Sequence, residues 1–184
     1  VIVDGREHSF TPSVDEIKNI CDSEVGVGAE QLLVIEPVTK SGEGAYARVR
    51  IYNPDGPEAE ACGNATRCVA KLLSDETGLD KLSLEINFEV LHCQRAGENF
   101  SVEMGKISLD WDKIPLANEC DTLHVDITDE GVGDGVAVNV ANPHLVFFVD
   151  DFDKIDIAGV GERIQKNPLL LESANVGIAE IIDL

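Results

Sequence analysis

The residues best suited to chemistry lie between Ile51 and Cys68, a run that reads Ile-Tyr-Asn-Pro-Asp-Gly-Pro-Glu-Ala-Glu-Ala-Cys-Gly-Asn-Ala-Thr-Arg-Cys. A strand ends here, Asn53-Pro-Asp-Gly-Pro57 makes a rigid turn, and a helix is expected from about Asn64 to Asp75. Cys62 therefore stands at or just before a helix N-terminus, where amides without carbonyl partners and the helix dipole favour a thiolate. Gly63 lets the backbone approach a ligand closely. The N–H groups of Gly63 and Asn64 suit a carboxylate or a phosphate. The residue chemistry thus describes a reactive thiol beside an anion site. It equally fits a Cys62 that is only a small buried residue and an Asn64 that caps the helix. Cys68, in the helix body, reads as core, and Cys21, Cys93 and Cys120 read as structural. Of the two cysteines in the run, Cys62 is expected to alkylate faster than Cys68 at pH 7, because its thiolate is favoured.

Several elements must position this run. Val1 to Asp4 reads as a strand, and Thr11 to Cys21 as a helix with Thr11 as N-cap and Pro12 at its first position. Val14, Ile17, Ile20 and Cys21 recur on one face of it. Gly26-Val-Gly28 breaks the chain. Gln31 to Glu36 and Ala45 to Tyr52 read as a hairpin around Lys40–Gly44. In the helix after Cys62, Val69, Leu72 and Leu73 are expected to face inward. Leu82 to Leu91 and Phe100 to Met104 alternate as strands around Ala96–Asn99. Beyond Ile107 the pattern restarts, with strands at Thr122–Ile127, Val136–Val140 and Leu145–Val149, a helix at Ile157–Gln165 and a last strand at Val176–Ile182. A boundary near residue 108 divides the chain into 1–108 and 109–184. The two halves share a loose strand-rich order, which hints at duplication. Short strands with one or two helices indicate α+β or barrel-like domains.

Composition narrows the function. The chain has 184 residues, 43% hydrophobic and 27% charged, which is globular rather than disordered. Its 14 Lys+Arg against 35 Asp+Glu give a net charge of −21. That surface repels phosphate backbones and anionic membranes, so nucleic-acid and membrane partners are disfavoured. No apolar run approaches the ~18 residues of a membrane span. No signal peptide is visible at Val1–Arg6. The five cysteines are odd in number, widely spaced and without a CxxC. They argue against a disulfide framework or a metal site, and for a reducing cytoplasm. The chain opens without Met inside a strand and closes on one, so an incomplete chain is expected.

The motifs resemble those of the diaminopimelate epimerase family, whose pattern is close to N-x-D-G-x-x-x-x-x-C-G-N-x-x-R-C. Here it reads Asn53-Pro-Asp55-Gly56, then Cys62-Gly63-Asn64-Ala-Thr-Arg67-Cys68. Cys21-Asp22 with Gly26-Val-Gly28-Ala-Glu-Gln31-Leu-Leu resembles a second family segment. Val140-Ala-Asn142-Pro143-His144 resembles its G-N-P-H, and Asn175-Val-Gly177 its E-R-x-N-V. The resemblance spans nearly the whole chain. It implies an α+β fold of two pseudo-repeated, strand-rich, barrel-like domains, each around a central helix, with the second incomplete here. It also implies epimerisation of LL- and meso-diaminopimelate without pyridoxal, in lysine and peptidoglycan precursor synthesis. One cysteine thiolate takes the α-proton while a second cysteine delivers a proton to the opposite face. By that resemblance Cys62 is one base, Gln31, Asn53, Asn142 and Asn175 bind polar groups of the amino acid, Gly63 and Asn64 hold its α-carboxylate, and His144 supports the site or is a structural histidine. No metal or organic cofactor is called for.

The sequence also departs from the family. The C-G-S-G segment of the second cysteine and the Glu-Arg pair before it do not occur, nor does the opening G-x-G-N-D-F. Glu30 replaces Asp, Ser173 replaces Arg, and Ile86 and Glu89 stand where Thr and Gly are expected. One alternative is therefore a truncated or degenerate relative that binds an amino acid without catalysis. Another is a different racemase or isomerase of the same fold. Cys62-Gly-Asn disfavours the relatives that use a carboxylate base, and Gln31 with Asn-Pro-His favours the epimerase over proline racemases. Apolar surface left by the unfinished second domain is expected to be exposed, giving a homodimer or poor solubility.

Overall fold

A computed structural model describes residues 1–39, 43–59, 62–127, 132–140, 142–172 and 174–182. They form two compact units, Val1–Met104 and Gly105–Leu184. The expected Lys40–Gly44 turn lies partly outside the described residues, and Ser173 lies outside them.

The first unit contains β1 (Ile2–Asp4), α1 (Val14–Cys21), β2 (Leu32–Glu36), β3 (Ala47–Tyr52), α2 (Gly63–Thr77), β4 (Lys81–Ile86), β5 (Glu89–Ala96) and β6 (Asn99–Val102). They make one six-stranded sheet in the order β1-β2-β3-β4-β5-β6. The β1–β2 and β3–β4 pairs are parallel. Parallel neighbours need a crossover, and α1 and α2 supply the two. Side chains alternate across a strand, so the run Leu32-Leu33-Val34-Ile35 is buried on both faces. Leu32 and Val34 pack with Ile17 and Cys21 of α1, while Leu33 and Ile35 pack with Val69 and Leu73 of α2.

Local chemistry moves several expected boundaries. Helix α1 is capped by Ser13, not Thr11. Its backbone N–H donates to Glu16 Oε2 at 2.8 Å and the Glu16 N–H donates back to Ser13 Oγ at 3.3 Å. This reciprocal box satisfies amides at both ends of the turn. Leu82–Leu91 is two strands rather than one. Asn87 and Phe88, both at positive φ (47° and 67°), form a two-residue turn between β4 and β5. Ile86 and Glu89 are the pair flanking it, so both departures from the family pattern sit at this hairpin.

Along α2 the buried stripe is Ala65-Thr66, Val69-Ala70 and Leu73-Ser74. Thr66 and Ser74 tolerate burial because their hydroxyls donate to the carbonyls of Cys62 (2.8 Å) and Leu79 (2.5 Å). The stripe leaves Leu72, which was expected inside, 46% exposed, and Cys68, expected in the core, is exposed too.

The second unit pairs β7 (Gly135–Asn139), β8 (Pro143–Val149) and β9 (Asn175–Glu180) in that order, with α3 (Ile157–Gln165) as the crossover between parallel β8 and β9. Val160 and Ile164 of α3 pack on Leu145 and Phe147. Thr122–Ile127 is not a strand. The Asp121 carboxylate accepts the Leu123 N–H (3.0 Å) and turns the chain, leaving only a bridge from Val125 to Gly135. The order strand, helix, parallel strand recurs as β1-α1-β2 and β8-α3-β9. Gln31 directly precedes β2, and Asn175 opens β9.

The turn after β3 fixes where α2 starts. The Gly56 N–H donates to the Asn53 carbonyl at 2.9 Å, and the Asn53 N–H donates to the Pro57 carbonyl at 2.9 Å. Gly56 has φ +113°, and a Cβ there would lie 2.7 Å from Val14 Cγ1 of α1. Gly56→Ala is expected to cost about 2 kcal/mol in urea denaturation, from backbone strain plus the clash. Gly44→Ala, at φ +91° with nothing within 4 Å, should cost about 1 kcal/mol, from strain alone. Equal costs would show that the Val14 contact carries no weight.

Candidate functional site

The antiparallel register places Leu32 opposite Tyr52. Gln31 and Asn53 therefore come next at the same end of the first sheet. Gln31 Nε2 donates to Asn53 Oδ1 at 3.3 Å. The Val1 nitrogen donates in turn to the Gln31 carbonyl at 2.9 Å. After the turn the chain runs back along β3, where the Ala59 N–H donates to the Ile51 carbonyl at 2.8 Å. Arg50 Nη2 holds Glu58 Oε2 at 2.8 Å on this return.

Cys62 is the N-cap of α2, in extended conformation (φ −148°, ψ 109°), and its side chain makes no capping hydrogen bond. Its carbonyl accepts the Thr66 N–H at 2.9 Å. The amides of Gly63, Asn64 and Ala65 precede that bond and have no carbonyl partner within the helix. No acidic residue occupies the first turn. Asn64 is thus not the cap; it is the second helical residue, exposed, with its Oδ1 taken by the Arg67 guanidinium. A Cβ at Gly63 would meet nothing nearer than Met104 Sδ at 3.6 Å, an ordinary contact. The chain's own packing therefore does not require a glycine there. Arg67 belongs to the same motif and holds one of the candidate site residues. Its spacing of three from Asn64 on one helix face was the available signal.

The other cysteines differ from Cys62. Cys21 and Cys93 are buried, and burial pushes the Cys93 thiol up to about 11, so it is neutral near pH 7. Burial, with the Asp121 carboxylate, also raises the Cys120 thiol. Among the described residues no three His, Cys, Asp or Glu side chains gather to hold a metal ion. No described helix is long and apolar enough to cross a membrane.

In the second unit, Asn142, His144 and Asn175 come together at one end of the three-stranded sheet. His144 pairs with Asn175 across β8 and β9. His144 Nε2 lies 3.0 Å from Asn142 Oδ1. Asn175 Nδ2 donates to the Pro143 carbonyl at 3.2 Å. A groove of about 520 Å³ on the first unit, lined by Tyr46, Lys81, Ser83, His92 and Glu103 among others, contains none of the candidate residues.

The diaminopimelate epimerase family model matches residues 1–109. The chain is 37% identical over 183 residues to the diaminopimelate epimerase of Rhodospirillum centenum, covering 99% of this chain and 62% of that protein. It is 38% identical over 190 residues to that of Pelagibacter ubique, covering 100% of this chain and 67% of that protein. The chain thus spans roughly two thirds of the length of these curated relatives. Among solved structures, it is similar to a phenazine biosynthesis protein of the PhzF family from Bacillus anthracis, with TM-score 0.58 and 18% identity over 99% of this chain and 61% of that one. It is also similar to a hydroxyproline epimerase from Agrobacterium vitis, with TM-score 0.58 and 13% identity over 88% of this chain and 53% of that one. These structures share its strand-rich α+β fold. On the family match and the curated relatives together, the chain belongs to the diaminopimelate epimerase family.

Proposed function

We propose that the protein takes part in the interconversion of LL- and meso-diaminopimelate, with Cys62 as one of the two acid–base groups. The observation that carries this reading is Cys62 at the start of α2 without a side-chain capping bond, beside first-turn amides that have no carbonyl partner within the helix. In the proposed reaction the Cys62 thiolate takes the α-proton, the C–H electron pair stays on the substrate, and Cys62 becomes a thiol. Reprotonation on the opposite face, by a second acid, gives the inverted centre. An α-proton beside a carboxylate is very weakly acidic. Donors aimed at the carboxylate, which gains charge as the proton leaves, are the electrostatic contribution such a step needs. We assign the Gly63 and Asn64 amides to that carboxylate, Gln31 and Asn53 to further polar groups, and Asn142 and Asn175 to the amino acid, with His144 holding Asn142. Residues 1–108 and 109–184 are taken as two epimerase domains. The enzyme is read as cytoplasmic, serving lysine and peptidoglycan precursor synthesis. The second reading is amino-acid binding without inversion. It is favoured by departures inside the chain, Glu30 where the resemblance expects Asp and Ser173 where it expects Arg.

Incubation with reductant and LL- or meso-diaminopimelate in heavy water should erase the α-proton signal in NMR. Cys62→Ala should slow that loss about a thousandfold. Undiminished exchange in Cys62→Ala would remove Cys62 from the mechanism. Saturable binding without exchange in the unaltered protein would select the second reading.

Gly63→Ala should leave folding stability within about 0.5 kcal/mol, because the added methyl meets only an ordinary contact. It should weaken diaminopimelate binding about tenfold if a carboxylate sits against that backbone, a loss of ~1.4 kcal/mol. Unchanged binding would exclude the close approach.

In peptide-mapped alkylation at pH 7, Cys62 should react faster than Cys68 although Cys68 is the more exposed, with Cys21 and Cys93 protected. Faster labelling of Cys68 would show that exposure alone governs the thiols.

A further inference from the structure

We infer that Arg67 is a positioning residue that holds Asn64 by its oxygen and so presents the donor end of that side chain beside the first-turn amides assigned to the substrate carboxylate, an inference that rests on the function proposed above. The first observation is the contact itself. Arg67 lies three residues after Asn64 on the same helix face, and its Nη2 donates to Asn64 Oδ1. An Asn side chain has an acceptor end and a donor end of nearly equal shape, and only the donor end suits a carboxylate. Arginine has five N–H donors and no acceptor. It can therefore hold Asn64 only by the oxygen, which leaves Nδ2 as the free end.

The second observation is the state of the guanidinium. In a chain with 35 acidic and 14 basic residues, arginines should find carboxylates. Four of the five in the first unit do. Arg6 pairs with Asp4 at 2.7 Å and Glu76 at 2.9 Å, Arg48 with Glu36 at 3.4 Å, Arg50 with Glu58 at 2.8 Å, and Arg95 with Asp75 at 2.7 Å. Among the described residues Arg67 has no such pair; Asn64 is its partner. Lys71, the next cation along the helix, is taken by Asp75. Among the described residues Arg67 is thus the arginine of this unit whose geometry is set by a candidate binding residue rather than by an ion pair. A carboxylate partner would pull it away from Asn64.

Because arginine only donates, Arg67 variants should fall in a defined order. Arg67→Lys keeps a donor and should retain most of the diaminopimelate affinity. Arg67→Ala frees Asn64 to rotate and should weaken affinity about tenfold, a loss of ~1.4 kcal/mol, while exchange at saturation changes less than threefold. Arg67→Glu accepts from Nδ2, turns the oxygen outward, and should be worse than Ala. In an Asn64→Ala background, Arg67→Ala should have no further effect. A full additional loss there would mean that Arg67 acts on the ligand by charge alone and would overturn the inference, as would Arg67→Glu binding as well as Arg67→Ala.

One readout is independent of substrate. The Asn64 side-chain amide in ¹⁵N NMR should be restrained in the unaltered protein and in Arg67→Lys, and mobile in Arg67→Ala. Restraint that survives Arg67→Ala would refute the positioning role. If the unaltered protein binds no diaminopimelate, the proposed function fails, and the amide spectrum still decides whether Arg67 holds Asn64.

Discussion

The first turn of an α-helix cannot satisfy its own amides, and the first unit is arranged around where one such turn begins. Helix α2 starts at Gly63 with no side-chain cap. Most helices use Ser, Thr, Asp or Asn to accept from those first amides. Here the position is Cys62, a weak acceptor, and it leaves them to something else. A cap of the usual kind would occupy the donors that we assign to a carboxylate. The half-buried thiol and the open amides are therefore two consequences of one residue choice.

Everything before α2 serves to hold that start in place. β2 is buried on both faces, by α1 on one side and α2 on the other. The β2–β3 register brings Gln31 and Asn53 to the same sheet end, and the Asn53–Pro57 turn locks against Val14 of α1 through a glycine that no other residue can replace without strain. The return of Ala59 along Ile51 then delivers the chain to Cys62. A long helix with a deep apolar stripe (Val69, Ala70, Leu73) fixes the direction of its own first turn, because it cannot rotate without exposing that stripe.

Much of this was legible in the sequence, for identifiable reasons. Gly and Pro punctuate turns strongly, so the Asn53–Pro57 turn and the helix beginning beside Cys62 could be read directly. Helix α3, with clean apolar spacing, is legible near Ile157–Gln165, where the structure has it. What escaped was decided by polar partners at a distance or by side-chain identity. Asn87-Phe88 turns at positive φ although Phe is a poor turn residue, so the alternation looked like one strand. Thr66 and Ser74 are buried through hydrogen bonds to backbone carbonyls, which a pattern of apolar residues cannot register. That shift of the buried stripe is why Cys68 and Leu72 were placed inside and lie outside. Ser13 outcompeted Thr11 because only Ser13 has Glu16 at capping-box spacing. The individual candidates at the site were visible as a motif, but the hydrogen bonds within it, Gln31 to Asn53 and Asn64 to Arg67, required coordinates.

In the proposed reaction the first-turn amides of α2 receive a carboxylate beside Cys62. The most direct measurement is a ¹H–¹⁵N NMR titration of the protein with meso-diaminopimelate, following backbone amides. Saturable shifts are expected at Gly63 and Asn64, with the same apparent affinity at both, and smaller changes along the body of α2. Saturable shifts confined to other residues, with Gly63 and Asn64 unmoved, would contradict it.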